Sequence, residues 1–448
     1  MYRVKACPPD GTLSEPERRT QLPQLELTAF LAAVALFCST LEYLIPKPLP
    51  FIRLGLANLP LMLSFPLLSW KSYLWLLLLK VIGQGFVNGT LFSYVFVLSV
   101  AGTATSGLFM RILWQAGGME RRYRRHRLKP EGETDRRTDV GSGTTERRSR
   151  QTVEECIPPV FSYIGISAAG ALVSNCSQIL TAQLMFFGNA IWVIAAPMLA
   201  AGLVTSVLLG WMANVYVGRS DWYASLLAGS GTPSRYRRIF ESTGSWRPDA
   251  RCVPVGIGLA LLPAIFFQKS LVFLAVDALL AISLSVSVGR RFKPLPNLLV
   301  LVTMVLVHLC QPSGKVLWNF GWITLTEGAL QEGLRKALIL ISMVYVSQFM
   351  TVGKPDLPRK LGKLMAIQLA YFGAFSRSWR NEDDAQERRN LIDRIDGLLE
   401  RVGTEDAHTP NTGRNGDTDR KMNRTWLSIG ITILLVMYTL LGIQCFFI

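Results

Sequence analysis

The sequence predicts an all-α, polytopic membrane protein. Half of its 448 residues are hydrophobic and only 17% are charged, whereas soluble domains carry about 25% charged residues. The apolar residues also come in blocks as long as the roughly 20 residues that a helix needs to cross a bilayer. Basic residues collect in the loops between these blocks, which is typical of the cytoplasmic side of membrane proteins.

The apolar blocks indicate about eleven membrane spans, six before a basic linker at residues 218–252 and five after it. These spans cover residues 27–45, 54–68, 72–86, 91–113, 160–184, 191–217, 255–275, 272–288, 295–309, 334–350 and 426–448. We therefore expect a multi-pass protein of the cell (inner) membrane.

The basic loops predict the orientation of the chain. With a cytoplasmic N-terminus, every strongly basic loop falls on the cytoplasmic side. These loops contain Arg121 to Arg127, Arg235 to Arg238, Arg290 to Lys293 and Arg359 to Lys363. The positive-inside rule thus explains the net charge of +16, and we expect no nucleic-acid partner.

Hydrophilic segments divide the chain into predicted domains. A cytoplasmic segment (1–24) precedes a six-helix membrane domain (25–217) with a charged insertion (119–155). The basic linker (218–252) leads to a second membrane domain (253–380), a charged cytoplasmic segment (381–424) and a last span (425–448). Apolar residues at helical spacing predict an amphipathic helix over residues 385–402. This helix either lies on the membrane, docks a partner protein or packs on the protein's own cytoplasmic side.

Motifs for catalysis and for cofactor binding are missing from the sequence. The chain has no phosphate-binding glycine loop and no zinc-protease or nucleophile-elbow motif. Its seven cysteines are scattered and it has only three histidines, so we expect no disulfide framework and no metal site. The acidic run Asp383 to Glu387 stands alone, which is typical of a solvated loop. We therefore expect no cofactor and no enzymatic activity of the chain itself.

Polar side chains within apolar spans are costly in lipid and are therefore candidate binding residues. The candidates for a solute site are Arg53, Asn58, Gln84, Asn88, Asn175, Gln178 and Asn189. The alternative for the amides is hydrogen bonding between helices, and the alternative for Arg53 is an interfacial anchor. Glu42 and Lys80 also lie in or near the membrane, and Asp277 needs a partner that the sequence does not identify.

The first half resembles the Gx transporter family, whose members are often described as heptaprenyl diphosphate synthase component I. The residues that carry the resemblance are Arg53 to Asn58, Gly85 to Thr90, Ser99 to Met110, Asn175 to Gln178 and Gly202 to Gly210. The family is similar to the six-helix substrate-binding S components of energy-coupling factor (ECF) transporters. The resemblance covers about residues 25–217 and implies a site for a vitamin, a precursor or a metal ion.

The second half, about residues 253–380, more weakly resembles the T component, the membrane coupling subunit of the same transporters. The features that carry this resemblance are Thr324 to Gly328, Gly333 to Ala337 and Thr351 to Leu357. It implies coupling to ABC-type ATPase subunits supplied in trans, with Arg335 and Arg377 as coupling residues. T components have two Ala-Arg-Gly-like motifs, but this chain offers only Ala374 to Arg377, which weakens the expectation of ATPase docking.

Two other functions stay open at this point. The chain is either a membrane subunit associated with polyprenyl diphosphate synthesis, as the family description suggests, or a membrane scaffold that binds no solute. The sequence does not name the solute or the direction of transport.

Overall fold

The structure is a computed structural model. It describes residues 15–44, 55–117, 162–228, 253–292, 294–309, 314–319, 324–351, 359–381, 391–404 and 416–447. The predicted fold class is confirmed, because these residues form helices apart from one short two-stranded ribbon. Six of the described helices are long and apolar enough to cross a membrane, and three shorter helices are also apolar.

The first half contains seven described α-helices. They are α1 (Glu15–Leu44), α2 (Leu59–Leu63), α3 (Trp70–Asn88), α4 (Tyr94–Ala116), α5 (Tyr163–Ala182), α6 (Trp192–Arg219) and α7 (Asp221–Ala228). Serine hydroxyls cap two of them. Ser69 accepts a hydrogen bond from the Ser72 backbone amide, and Ser162 does the same for Gly165. Helix α3 ends at Gly89, whose positive φ of 68° suits glycine.

The second predicted span, residues 54–68, is not a continuous helix. Gly55 has a φ of 80°, a 3₁₀ turn covers Leu56–Asn58, and α2 is only five residues long. The segment still runs from the end of α1 to the start of α3, because Gly55 contacts Glu42 and Phe65 contacts Tyr73. Hydropathy identified the apolar segment, whereas its backbone is a broken helix.

The second half contains four described helices and the ribbon. Helices α8 (Val253–Phe267), α9 (Leu271–Ser287) and α10 (Pro294–Leu309) precede strands β1 (Val316–Asn319) and β2 (Thr324–Thr326), and α11 (Glu327–Met350) follows. The strands pair antiparallel, with Val316 opposite Thr326. Helices α8, α9 and α10 all pack against α11, and the last helix, α14 (Gly416–Phe447), packs against α8 and α9.

Two helices that follow α11 in the chain pack on the first half. Helix α12 (Arg359–Asn381) packs against α1 and α3, and α13 (Leu391–Thr404) packs against α12 and α7. Their apolar side chains share one core with those of α1 to α7. Helix α13 corresponds to the predicted amphipathic helix, and its buried Leu398, Leu399 and Val402 support packing on the protein itself.

Helix α11 connects the two halves directly. The Ser347 hydroxyl donates a hydrogen bond to the Gly89 carbonyl (2.9 Å) and accepts one from the Phe92 amide (3.0 Å). A Cβ atom at Gly89 would approach Gln348 to 3.1 Å, so the backbone lies close to α11. The turn between α3 and α4 is therefore held at the C-terminal end of α11.

Candidate functional site

A cluster of polar side chains lies where α1 ends and the broken segment begins. Glu42 of α1 is buried, and its carboxylate accepts hydrogen bonds from the backbone amides of Gly55 and Leu56, each at 3.1 Å. The left-handed conformation of Gly55 turns these two amides towards the same oxygen. A buried carboxylate thus fixes the start of the broken segment, because unpaired backbone amides are costly away from water.

Lys80 supplies the positive charge of the same region. Its side chain is buried in α3, and its ammonium group donates a hydrogen bond to the side-chain oxygen of Asn58. Gln84 and Asn88 follow Lys80 at intervals of four residues and so continue the same side of α3. Gln84 is half-buried and Asn88 is exposed. We call Glu42, Asn58 and Lys80 the polar cluster.

The polar cluster has the chemistry of a site for a small polar solute. It combines a carboxylate, an ammonium group and an amide with irregular backbone. Buried charges of this kind in membrane proteins commonly mark solute or ion pathways. In the described part of the chain, no group of three or more His, Cys, Asp or Glu side chains is placed to hold a metal ion.

The structure brings together only part of the predicted solute site. Asn58 belongs to the polar cluster, and Gln84 and Asn88 lie on the same helix as Lys80. Arg53 lies outside the described residues. Asn189 lies in a 3₁₀ turn, Gly188–Ile191, but its side chain is outside the described part.

The other two predicted amides lie between α4, α5 and α6. Asn175 donates to the Met198 carbonyl (3.4 Å), and its amide nitrogen lies 2.0 Å from where a Cβ of Gly202 would be. Gln178 donates to Ser174 (3.0 Å) and packs on Gly102 in the same way. The Asn175 hydrogen bond joins α5 to α6, as in the alternative that the sequence left open for amides. The Gln178 hydrogen bond stays within α5, and this side chain reaches α4 only by packing on Gly102.

The two predicted coupling residues lie in different surroundings. Arg335, in the first half of α11, donates to the backbone carbonyl of Gln268 at the turn between α8 and α9 (3.2 Å). Arg377 is exposed near the end of α12. The exposed side chain of Arg377 can contact another protein, whereas Arg335 is hydrogen-bonded within the second half.

Two polar residues of structural importance were not singled out from the sequence. Arg111 of α4 is buried and donates to the carbonyls of Phe65 and Leu68, the latter at 3.0 Å. Its position as the one cation within the apolar run of α4 was the available signal. Gln368 of α12 is fully buried, and its amide donates to the carbonyls of Ala32 (3.3 Å) and Leu79 (3.2 Å).

Gln368 fits this position because α3 has a glycine opposite it. A Cβ at Gly83 would come within 2.4 Å of the Gln368 amide nitrogen. On the opposite side of Gln368, α1 presents small, fully buried residues, namely Ala29, Ala32 and Ala33. Close approach of helices at small residues is a common way to pack membrane helices. Helix α12 thus packs beside α1 and α3, and the Gln368 side chain bridges these two helices, which supply the charges of the polar cluster.

The part of the chain that contains the polar cluster matches a known family. Residues 31–121 and 150–216 match the family described as heptaprenyl diphosphate synthase component I. This region is similar to that family. The family domain includes the C-terminal part of α1, all of α2 to α5 and most of α6, and its unmatched interval falls within the predicted insertion at 119–155. The resemblance of the first half is thereby confirmed.

The second half matches a family without an assigned function. Residues 250–352, which include α8 to α11, match a domain of unknown function. The likeness to a T component therefore stays a prediction. The chain has no match among curated proteins or solved structures.

Proposed function

We propose that the chain is a membrane transport component of ECF type. The family domain binds a small solute, such as a vitamin or a precursor, at the polar cluster. The remaining helices couple this domain to ABC-type ATPase subunits supplied in trans. The hydrogen bonds from Gln368 of α12 to α1 and α3 are the observation that carries the proposal, because they link the charged C-terminal region to the helices of the candidate site.

We infer that the binding half moves as a rigid body, and the contact between the halves indicates its tilt in this structure. In the predicted orientation, the α3–α4 turn is on the outer side and the C-terminal end of α11 is on the cytoplasmic side. Ser347 nevertheless binds Gly89 and Phe92 of that turn. Such a contact suits a first half whose helices are tilted relative to α11. When this contact is released, the first half tilts back and the polar cluster opens to the opposite side of the membrane.

The coupling proposal is tested by purification of the chain from its native membrane in mild detergent. ABC-type ATPase subunits are expected to co-purify with it. The substitution Arg377→Glu is expected to reduce their recovery and ATP-dependent solute uptake, because it reverses an exposed charge near the end of α12. Lys360→Glu, at the other end of the same helix and also exposed, is the matched control. A wild-type chain that recovers no ATPase contradicts the coupled mechanism.

A second function is favoured by the description of the matched family. In it, the chain acts as the membrane subunit of a polyprenyl diphosphate synthase, with a soluble partner that supplies the catalytic aspartates. Purified chain and partner would then make long-chain prenyl diphosphate that the partner alone does not make. If the product does not depend on the chain, this function is removed.

A further inference from the structure

A buried carboxyl group in the second half has an incomplete set of hydrogen bonds. Asp277 is the one charged residue of α9 and is fully buried. The side-chain amide of Gln268, which is also fully buried, donates to Asp277 Oδ2 at 3.4 Å. Asp277 Oδ1 and Gln268 Oε1 are buried and have no hydrogen-bond partner. Two acceptor oxygens of one contact pair are therefore left without a donor.

The surroundings of Asp277 offer no compensating charge. In the described residues, Asp277 forms no ion pair. Arg335 of α11 is directed to the backbone carbonyl of Gln268. An ionised carboxylate is costly away from water unless it is paired.

The other titratable groups on the described elements that pack against α9 are engaged elsewhere or, like Lys269, exposed. On α11, Lys336 contacts Glu332 (3.1 Å) and His308 (3.2 Å). The Tyr345 hydroxyl accepts a hydrogen bond from Asn297, and Tyr438 of α14 donates to the Ala260 carbonyl. The remaining groups are Glu327 of α11, which accepts from Gln331, and Lys269 of the α8–α9 turn.

One proton satisfies both orphaned oxygens. A protonated carboxyl group has one O–H donor, and a side-chain amide has two N–H donors and one acceptor oxygen. An acid and an amide that face each other therefore form two hydrogen bonds, of which the structure already contains the N–H to Oδ2 bond. We propose that Asp277 and Gln268 form a proton-binding site, with the proton on Oδ1 donated to Gln268 Oε1.

The site links the proton to the packing of three helices. Gln268 lies in the α8–α9 turn, whose next two amides, those of Lys269 and Ser270, donate to Gln444 Oε1 of α14 at 2.8 and 3.4 Å. The carbonyl of Gln268 binds Arg335 of α11. Loss of the proton places an uncompensated charge beside this turn, so it weakens the attachment of the turn to α11 and α14. This inference does not depend on the proposed transport function.

Infrared spectroscopy of the full chain in detergent tests the site directly. With ¹³C-labelled aspartate, the wild type is expected to show a protonated carboxyl band at neutral pH that disappears in Asp277→Asn. Asp393→Asn, at an exposed carboxylate, is expected to keep the band. If Asp277→Asn does not fold, Asp277→Glu is expected to move the band out of the ¹³C-labelled region. Absence of the band in the wild type overturns the proposal.

Two further measurements distinguish a proton site from a cation site. Because the folded chain holds a proton that the unfolded chain releases at neutral pH, the melting temperature of the wild type is expected to fall as pH rises. Asp277→Asn keeps one donor and one acceptor towards Gln268 and is expected to lack this component of the pH dependence. If addition of Na⁺ removes the band at constant pH, the site binds a cation instead and the proposal is wrong.

Discussion

The bundle of α4, α5 and α6 and the region between α1 and α3 both contain polar side chains among apolar helices, but their neighbours differ. In the bundle, Asn175 and Gln178 lie across glycines of adjacent, regular helices. Between α1 and α3, Glu42 and Lys80 contact the turn and broken helix that begin at Gly55. The amides of the bundle hold helices together, whereas the charged groups of the other region hold irregular backbone.

This difference separates packing residues from candidate binding residues. A glycine opposite an amide leaves room for that side chain alone, so the contact has no space for a solute. An irregular segment held by side chains has backbone groups that a solute can reach after a small rearrangement. Four substitutions test this contrast, from the largest expected effect to the smallest.

Arg111→Met is expected to lower the free energy of unfolding by about 3 kcal/mol or more, because two buried carbonyl oxygens lose a charged donor. Those carbonyls belong to Phe65 and Leu68, at the end of the broken segment. Thermal unfolding in detergent measures the change. Arg111→Lys is expected to lie in between, since an ammonium group does not reproduce the two-pronged guanidinium geometry. Wild-type stability of Arg111→Met means that the segment does not depend on this side chain.

Gly202→Leu is expected to cost about 2 kcal/mol, because the new side chain occupies the position of the Asn175 amide and overpacks the interface of α5 and α6. The matched control is Gly218→Leu on the same helix, where a Cβ meets nothing within 4 Å. Comparison of the two melting temperatures isolates the steric effect. Equal values for both variants contradict close packing at Gly202.

Lys80→Met is expected to weaken solute binding about tenfold or more, equivalent to about 1.4 kcal/mol, because it removes the ammonium group of the polar cluster. Thermal shifts with a panel of vitamins, precursors and metal ions provide the measurement. Lys71→Met, an exposed residue at the start of the same helix, is the control. A solute shift that survives Lys80→Met places the binding site elsewhere.

Asn175→Leu is expected to have the smallest effect, about 0.6 kcal/mol of stability, which is typical of a hydrogen bond between membrane helices. Solute-induced thermal shifts are expected to stay as in the wild type. If Asn175→Leu abolishes these shifts and Lys80→Met does not, the roles assigned to the two regions are exchanged.

Part of this architecture was readable from the sequence because it depends on local pattern. Bilayer-length apolar blocks predicted the long helices, and the helical spacing of Leu398, Leu399 and Val402 predicted α13. The residue types of the polar cluster were also visible, since charges in apolar segments stand out. Each of these features is determined by a short stretch of chain.

The remaining features depend on contacts between distant parts of the chain. Hydropathy does not distinguish a continuous helix from the broken segment that begins at Gly55, because both are apolar. The amphipathic pattern of α12 shows that one face is buried, but not that Gln368 enters between α1 and α3. Glycines at 102 and 202 gave no indication of which amide lies on them until the helices were placed together.

The return of α12 and α13 to the first half has a consequence for the biogenesis of the protein. Asp396 of α13 accepts hydrogen bonds from Tyr216 and Ser220, each at 2.8 Å, and from the Trp222 amide at 3.3 Å. Domains usually fold in order of synthesis, the N-terminal one first. Here the N-terminal domain emerges from the ribosome long before the residues that complete its core. Its helices must therefore wait in the bilayer, partly assembled, while α8 to α11 are inserted.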